Sequence, residues 1–316
     1  MQTKAGPVTA AERRQAQLIA ADQNALLRVG INAATKIGAR LQRAALRAYR
    51  ANRDPAAVVA AELEPAPLLL GRAMLFGHLR GRWRSGLFSA NGHGRKTIAA
   101  RLYPDSPLDT PYDEAAKILA NRLMIPLDAL KALELKYVAD ALRVVKKASD
   151  KIERDLQAAM MRTTEAGAHV REGVKSLRQV FDANGMTPQN SFTLEAIFRT
   201  QTTMAYGAGR WNADQDPAIQ EILWGYKYVT VGDDRVRAEH VGYEGMTLPK
   251  EDPMWDTIWP PNGWACRCTT IPVLEQREII RPPSEVDVDG KMVHPSVDDG
   301  FAFNPGKVYR EFSTAI

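Results

Sequence analysis

Cysteine is nearly missing from this chain: Cys266 and Cys268 are the only two in 316 residues. One intervening residue is poor geometry for a mutual disulfide, so nothing points to an oxidising compartment. The opening run MQTKAGPVTAAERRQAQ lacks the apolar stretch of a secretory signal, and no segment approaches the roughly 18 apolar residues that a spanning helix needs. A protein that stays in the compartment where it is made, without membrane contact, is expected. Carboxylates clustered at metal-binding spacing are also lacking, as are His-x-Glu and His-Glu-x-x-His patterns. Their absence counts against metal-assisted hydrolysis.

What is present is ordinary in bulk and uneven in detail. Hydrophobic residues make up 45% and charged residues 25%, the balance of a soluble globular protein that buries real cores. The length suggests more than one body. The net charge of +5 conceals an asymmetry, since residues 1–101 hold 17 Lys and Arg against 5 Asp and Glu, whereas the remainder holds 25 against 32. An excess of one sign in one segment favours an anionic partner there, either nucleic acid or an acidic protein surface.

Periodicity divides the chain into three regions. Thr9 and Glu12 form a capping-box pattern ahead of Ala- and Leu-rich sequence that runs without proline to Asp54-Pro55, which predicts one long helix or two broken near Gly30 or Gly38. Within it Lys36, Arg40, Arg43, Arg47 and Arg50 recur at helical spacing and share a stripe. Asp54 and Pro55 start a short second helix that Pro65 and Pro67 close. The run LLLGRAMLFGHLRGRWRSG, which carries Arg80, Arg82 and Arg84, reads as irregular or partly helical, and Gly86 to Pro111 as a long loop. From Pro126 to about Gly167 an unbroken helix is expected, with a seam of Leu135, Val138, Leu142, Val145, Ile152, Leu156 and Ala159 and Ser149 as its polar member. A further helix, Val170 to Asn184, should end at Gly185. Beyond Thr187-Pro188 a helix capped by Asn190 or Ser191 gives way to tryptophans, prolines and β-branched residues. Leu223 to Val231 reads as a strand, and VDVDGKMV as a hairpin turning at Asp289-Gly290. The expected class is α+β: an elongated, long-helix N-terminal half followed by a small turn-rich α+β C-terminal domain. The expected regions are 1–111, basic and helical or irregular; 112–185, a long-helix bundle or stalk; and 186–316, the C-terminal domain.

Several residues carry candidate chemistry. Lys36, Arg40, Arg43, Arg47, Arg50, Arg80, Arg82 and Arg84 are candidates for contact with nucleic acid or an acidic partner. His240, Cys266 and Cys268 are candidate zinc ligands, with His294, Asp234 and Glu239 as contenders for the fourth position. The alternatives are small buried thiols packed beside Trp264 or a Cys-His nucleophile, and no orienting third group or oxyanion element accompanies the latter. Trp255, Trp259 and Trp264 are expected to fill a small core, and Asp233 or Asp234 to cap a short helix containing Arg235 to His240.

Four segments in order resemble the phage Mu F-like minor head protein family. They are Arg199-Thr200-Gln201 through Tyr206-Gly-Ala-Gly-Arg210, Val231 through Arg237 with His240 and Gly245, Pro260 through Cys268, and Gly300 through Gly306. The resemblance covers about residues 190 to 306 and implies a low-copy head morphogenesis protein of a tailed phage, not an enzyme. Such a protein would reside in the virion, in the head interior or at the portal vertex. It would be associated with the portal protein and phage DNA, with major capsid or scaffold protein as further neighbours, and would act in head assembly or DNA delivery. The competing functional class is a metal-dependent nuclease or hydrolase centred on His240, Cys266 and Cys268, or a zinc-stabilised nucleic-acid-binding module.

Overall fold

The structure is a computed structural model describing residues 7–63, 66–89, 120, 121, 123, 125–165, 170–187 and 192–309. It is α+β, with long helices through the first two-thirds and short strands after residue 224. The described helices are α1 (Ala10–Arg50), α2 (Pro55–Leu63), α3 (Ala66–Ser89), α4 (Leu127–Glu165), α5 (Val170–Ala183), α6 (Phe192–Asp214) and α7 (Pro217–Ile222), followed by the one-turn α8 (Ala238–Val241) and α9 (Pro305–Val308). The strands are β1 (Gly225–Val229), β2 (Thr247–Pro249), β3 (Thr269–Val273), β4 (Val286–Val288) and β5 (Lys291–Val293). No described helix is long and apolar enough to cross a membrane.

Two compact units emerge, and neither is continuous in sequence. One comprises residues 1–26, 74–130 and 202–316; the other comprises 27–73 and 131–201. This division cuts across the three consecutive regions expected from the sequence. The four chain breaks between units fall at or inside α1, α3, α4 and α6, where a sequence has no linker composition to mark them.

Local sequence accounts for the helix ends. The backbone N–H of Thr9 donates to Glu12 Oε2 at 2.7 Å while that of Glu12 donates to Thr9 Oγ1 at 3.2 Å, a reciprocal capping box that satisfies two otherwise orphaned donors. Asp54 Oδ1 accepts from Ala56 N at 2.9 Å at the start of α2. At the end of α5, Gly185 adopts φ +59°, and the N–H groups of Met186 and Gly185 return to the carbonyls of Phe181 and Asp182. This paired closure requires a left-handed residue, for which glycine has no Cβ penalty. The expected caps at Asn190 and Ser191, and the expected loop beyond Ser89, lie outside the described residues.

The run 68–86, expected to be irregular or partly helical, is helical throughout, and the helix continues over 86–89, where the long loop was expected to begin. Its glycines allow close helix packing. In the first unit, α3 lies against α6 so tightly that a Cβ on Gly77 would sit 2.9 Å from the Thr202 carbonyl oxygen, and one on Gly81 or Gly209 would overlap the carbonyl of Tyr206 or His78. Gly77 and Gly81 are four apart, as are Ala205 and Gly209 on α6, so small residues line both sides of the contact. His78 is fully buried there, and burial, reinforced by the positive Arg82, drives its pKa down to about 3.

In the second unit, the seam expected on α4 is out of phase at its N-terminal end. Leu135 and Leu142 are 71% and 53% exposed, whereas Leu133, Tyr137 and Ala141 are buried with Ser149, Ile152, Leu156 and Ala159. The expected spacing alternated 3 and 4, a 3.5-residue period. A straight helix drifts about 20° per heptad from that repeat, so tracing back from Ala159 to Leu135 turns the seam roughly 70° off the buried face.

The sheet is antiparallel, in the order β2-β1-β3, with Tyr226 opposite Leu248 and Pro272. The shorter strand bounds relative to Leu223 to Val231 reflect where pairing stops. β4 and β5 form the expected hairpin, with Asp289 and Gly290 at φ 52° and 79°. The core beneath the sheet is aromatic: Trp211, Tyr226, Trp255 and Trp259 interlock through edge-on and stacked contacts at centroid distances of 4.7 to 5.9 Å. Trp264, expected in this core, is 44% exposed and rests on Phe301 instead, and Trp211 takes the third place. The N-terminal end of α1 also docks on the sheet. Ala16 packs with Val229 and Ile271, Lys227 pairs with Glu12 at 3.0 Å, and Arg13 donates to the Thr230 carbonyl at 2.7 Å and pairs with Glu244.

Candidate functional site

The densest chemistry lies at the edge of that aromatic core, within the first unit. The chain leaves β1, turns at Gly232 (φ +74°), and forms the single turn of α8, which buries His240 to 1% exposure. Asp233 Oδ1 accepts from the Arg235 N–H at 3.2 Å and so caps the turn that leads into α8. Its carboxylate also grips the Arg267 guanidinium at 2.5 and 2.7 Å, and that hydrogen bond leads the effects holding its pKa down to about 2. The N-cap of α8 is Arg237, without a side-chain cap. From the other direction, Pro260-Pro261-Asn262-Gly263 turns the chain into Cys266-Arg267-Cys268 ahead of β3. Arg210 of α6 braces the start of that strand, donating to Thr269 Oγ1 at 2.5 Å and the Thr270 carbonyl at 2.8 Å.

These paths bring His240, Cys266 and Cys268 together, all buried, with their ligand atoms within 4.8 Å of one another. Both sulfurs face the same imidazole nitrogen: Cys266 Sγ lies 3.6 Å and Cys268 Sγ 3.8 Å from His240 Nδ1. A hydrogen bond from Cys268, with further help from His240, holds Cys266 well below the usual thiol range, and the same bond together with burial pushes Cys268 up. The backbone N–H of Cys268 also reaches Cys266 Sγ at 3.4 Å. Tyr228 is buried beside the pair, with Asn262 Nδ2 donating to its hydroxyl at 3.1 Å.

The contenders for a fourth ligand do not join this cluster. His294 is exposed, with Nε2 3.2 Å from Glu285 and Nδ1 beside the Ser284 carbonyl, and Asp234 and Glu239 are exposed. A residue that sequence reasoning missed is near instead: Asp298 Oδ1 stands 4.0 Å from His240 Nε2. Gly263 makes room for it, because a Cβ there would overlap the Asp298 carboxylate, and the Asp298 N–H is anchored on the Asn262 carbonyl at 2.9 Å. Thirty residues separate Asp298 from the Cys-x-Cys pair, and no local spacing links them.

The basic candidates are placed unevenly. Lys36, Arg43, Arg47 and Arg50 are exposed on α1, whereas Arg40, also exposed, is paired with Glu62 of α2 at 2.8 Å. Arg80 is not a surface contact. Its guanidinium pairs with the buried carboxylate of Asp22 at 2.6 Å. Arg82 is largely buried, which lowers its pKa. The side chain of Arg84 lies outside the described residues.

Comparison with known proteins places this cluster in a recognisable region. Residues 150–271 match the family model described as Phage Mu protein F like protein, a span that includes His240, Cys266 and Cys268 and stops short of Asp298. Over 99 residues the chain is 34% identical to the Mu-like prophage FluMu F protein of Haemophilus influenzae, covering 31% of this chain and 23% of that protein. Over 124 residues it is 33% identical to the "Putative capsid assembly protein F" of Escherichia phage Mu, covering 39% of this chain and 28% of that one. The matched stretches thus span about a quarter of the length of these relatives. No solved structure matches the chain.

Proposed function

We propose, from the Mu F-like character of this chain over residues 150–271, that it is a head-assembly protein of a tailed phage and a minor, non-enzymatic component of the virion. The carrying observation is the family match, supported by a phage Mu relative named for capsid assembly. The proposed partners are the portal protein and packaged DNA, with major capsid or scaffold protein as neighbours. Quantitative mass spectrometry of purified heads is expected to find the protein together with portal, at a copy number well below that of the major capsid protein. Its absence from mature and immature particles alike would remove the assignment.

The α1 stripe supports an anionic partner. Lys36, Arg43, Arg47 and Arg50 present four exposed cations at helical spacing. Replacing Arg43, Arg47 and Arg50 together by alanine should weaken DNA binding and flatten the plot of log affinity against log salt by roughly 0.9 per lost phosphate contact. Thermal melts should change little, because exposed positions of this kind contribute within about 0.5 kcal/mol each. An unchanged salt slope for DNA and for the purified portal protein would reject the stripe as the contact surface. Deleting residues 1–101 is an unsuitable version of this test, since residues 7–26 and 74–89 belong to the same unit as the C-terminal sheet.

A further inference from the structure

We propose that His240 Nδ1, Cys266 Sγ and Cys268 Sγ bind a zinc ion, and that Asp298 is a positioning residue that holds the imidazole through its other nitrogen. The inference does not depend on the head-assembly reading, and its test has separate readouts.

The first argument is convergence. Two sulfurs lie 3.6 and 3.8 Å from a single imidazole nitrogen. That nitrogen offers a single lone pair or a single proton, yet the two sulfurs approach it almost equally. A metal accounts for both. With Zn–S near 2.3 Å and Zn–N near 2.0 to 2.1 Å, a tetrahedral ion separates nitrogen and sulfur ligands by roughly 3.5 Å, close to the spacing observed.

The second argument is the chemistry around the sulfurs. The Cys268 N–H is directed at Cys266 Sγ at 3.4 Å. Donors aimed at thiolate sulfur are the outer support that metal-bound cysteines require. Two thiolates and an imidazole, with no carboxylate among them, form a set that suits zinc and excludes calcium or magnesium. Among the described residues no further His, Cys, Asp or Glu enters the cluster, so the fourth position falls to water.

The third argument comes from the other side of the ring. His240 Nε2 is buried without a hydrogen-bond partner, and the carboxylate nearest to it is Asp298 at 4.0 Å. Metal-bound histidines almost always donate the remaining N–H to a carboxylate or carbonyl, which fixes the tautomer and the ring orientation. A shift of about 1 Å brings Asp298 into hydrogen-bond range. Binding would then add a further link among three pieces of chain: the α8 turn, the Pro-Pro-Asn-Gly loop with its cysteines, and the segment around Asp298.

The test uses the full chain, stripped and reloaded with zinc or cobalt(II). About one zinc per chain by elemental analysis is expected, with slow thiol modification in the loaded protein and rapid modification after chelation. Cobalt should give tetrahedral visible bands and thiolate charge transfer. Asp298→Asn should keep the cobalt spectrum and the melting temperature of the metal-free chain while weakening zinc affinity about 10- to 100-fold, and Asp298→Glu should recover part of the loss. A cobalt complex without thiolate charge transfer, or thiol reactivity indifferent to zinc, overturns the site. Because both are measured on the unsubstituted chain, an unfolded Cys→Ser variant cannot obscure the answer. Zinc affinity in Asp298→Asn within threefold of the parent overturns the role of Asp298 alone.

Discussion

Replacing Asp22 with alanine is expected to lower the unfolding free energy by about 3 to 5 kcal/mol, and the melting temperature by about 10 °C. The carboxylate of Asp22 is 4% exposed and lies where α1, α3 and α6 meet in the first unit. It accepts from Arg80 Nη2 at 2.6 Å and Nε at 3.2 Å, and from the Tyr206 hydroxyl at 3.0 Å. The attraction between the charges is partly offset by the cost of removing both from water, so the pair contributes modest net stability while it is intact. Removing the carboxylate reverses that balance, because the buried guanidinium loses the charge that offsets most of its desolvation. A double-mutant cycle separates the two terms. Asp22→Leu combined with Arg80→Met should be less destabilising than Asp22→Leu alone, since the second change removes the buried charge that Asp22 neutralised. If the single substitution cost under 1 kcal/mol in chemical denaturation, the buried pairing would be wrong.

That pair also shows where the sequence misled. Arg80, Arg82 and Arg84 were grouped by composition with the α1 stripe, yet Asp22 lies 58 residues upstream of Arg80, and no local pattern reveals an acid so distant. Features written within a few residues were legible. The Thr9-Glu12 box, the Asp54-Pro55 start, the Gly185 closure and the Asp289-Gly290 hairpin are each set by backbone chemistry inside one turn. The cluster of His240 with Cys266 and Cys268 was legible for another reason, because few other residue types offer soft ligands and this chain has so few of them. Asp298 was not, since one aspartate among many becomes distinctive only when Gly263 and Asn262 fold it against the ring. The interleaving of the two units was invisible for a related cause: chain that passes between them inside a helix keeps helical periodicity throughout. Trp264 illustrates a further limit. Its hydrophobicity suggested the core, but the turn at Gly263 and Ala265 (φ 55°) sends its ring outward onto Phe301 while its backbone carbonyl accepts from Arg237 at 2.6 Å.

The glycines of α3 lead to a prediction of the opposite sign from the usual one. In an exposed helix interior, Gly→Ala raises stability by about 0.5 to 1 kcal/mol, because alanine has less backbone freedom to lose. At Gly81 and Gly209 the same substitution is expected to cost about 3 kcal/mol or more. The added methyl of Gly81→Ala meets the Tyr206 carbonyl oxygen, and that of Gly209→Ala meets the His78 carbonyl. Neither obstacle is the far end of a flexible side chain. Both are backbone atoms within helices, so relief requires α3 and α6 to separate over several turns, with loss of packing around the fully buried Tyr206 and His78. Gly77→Ala should cost less, because its nearest obstacle is 2.9 Å away and a Thr202 methyl follows at 3.1 Å. Denaturant melts of the three variants should therefore rank Gly77→Ala as the mildest, with Gly81→Ala and Gly209→Ala well below it in stability. Stabilisation at Gly81 or Gly209 would mean that the two helices do not cross at these residues, and would restore the irregular reading of residues 68–86.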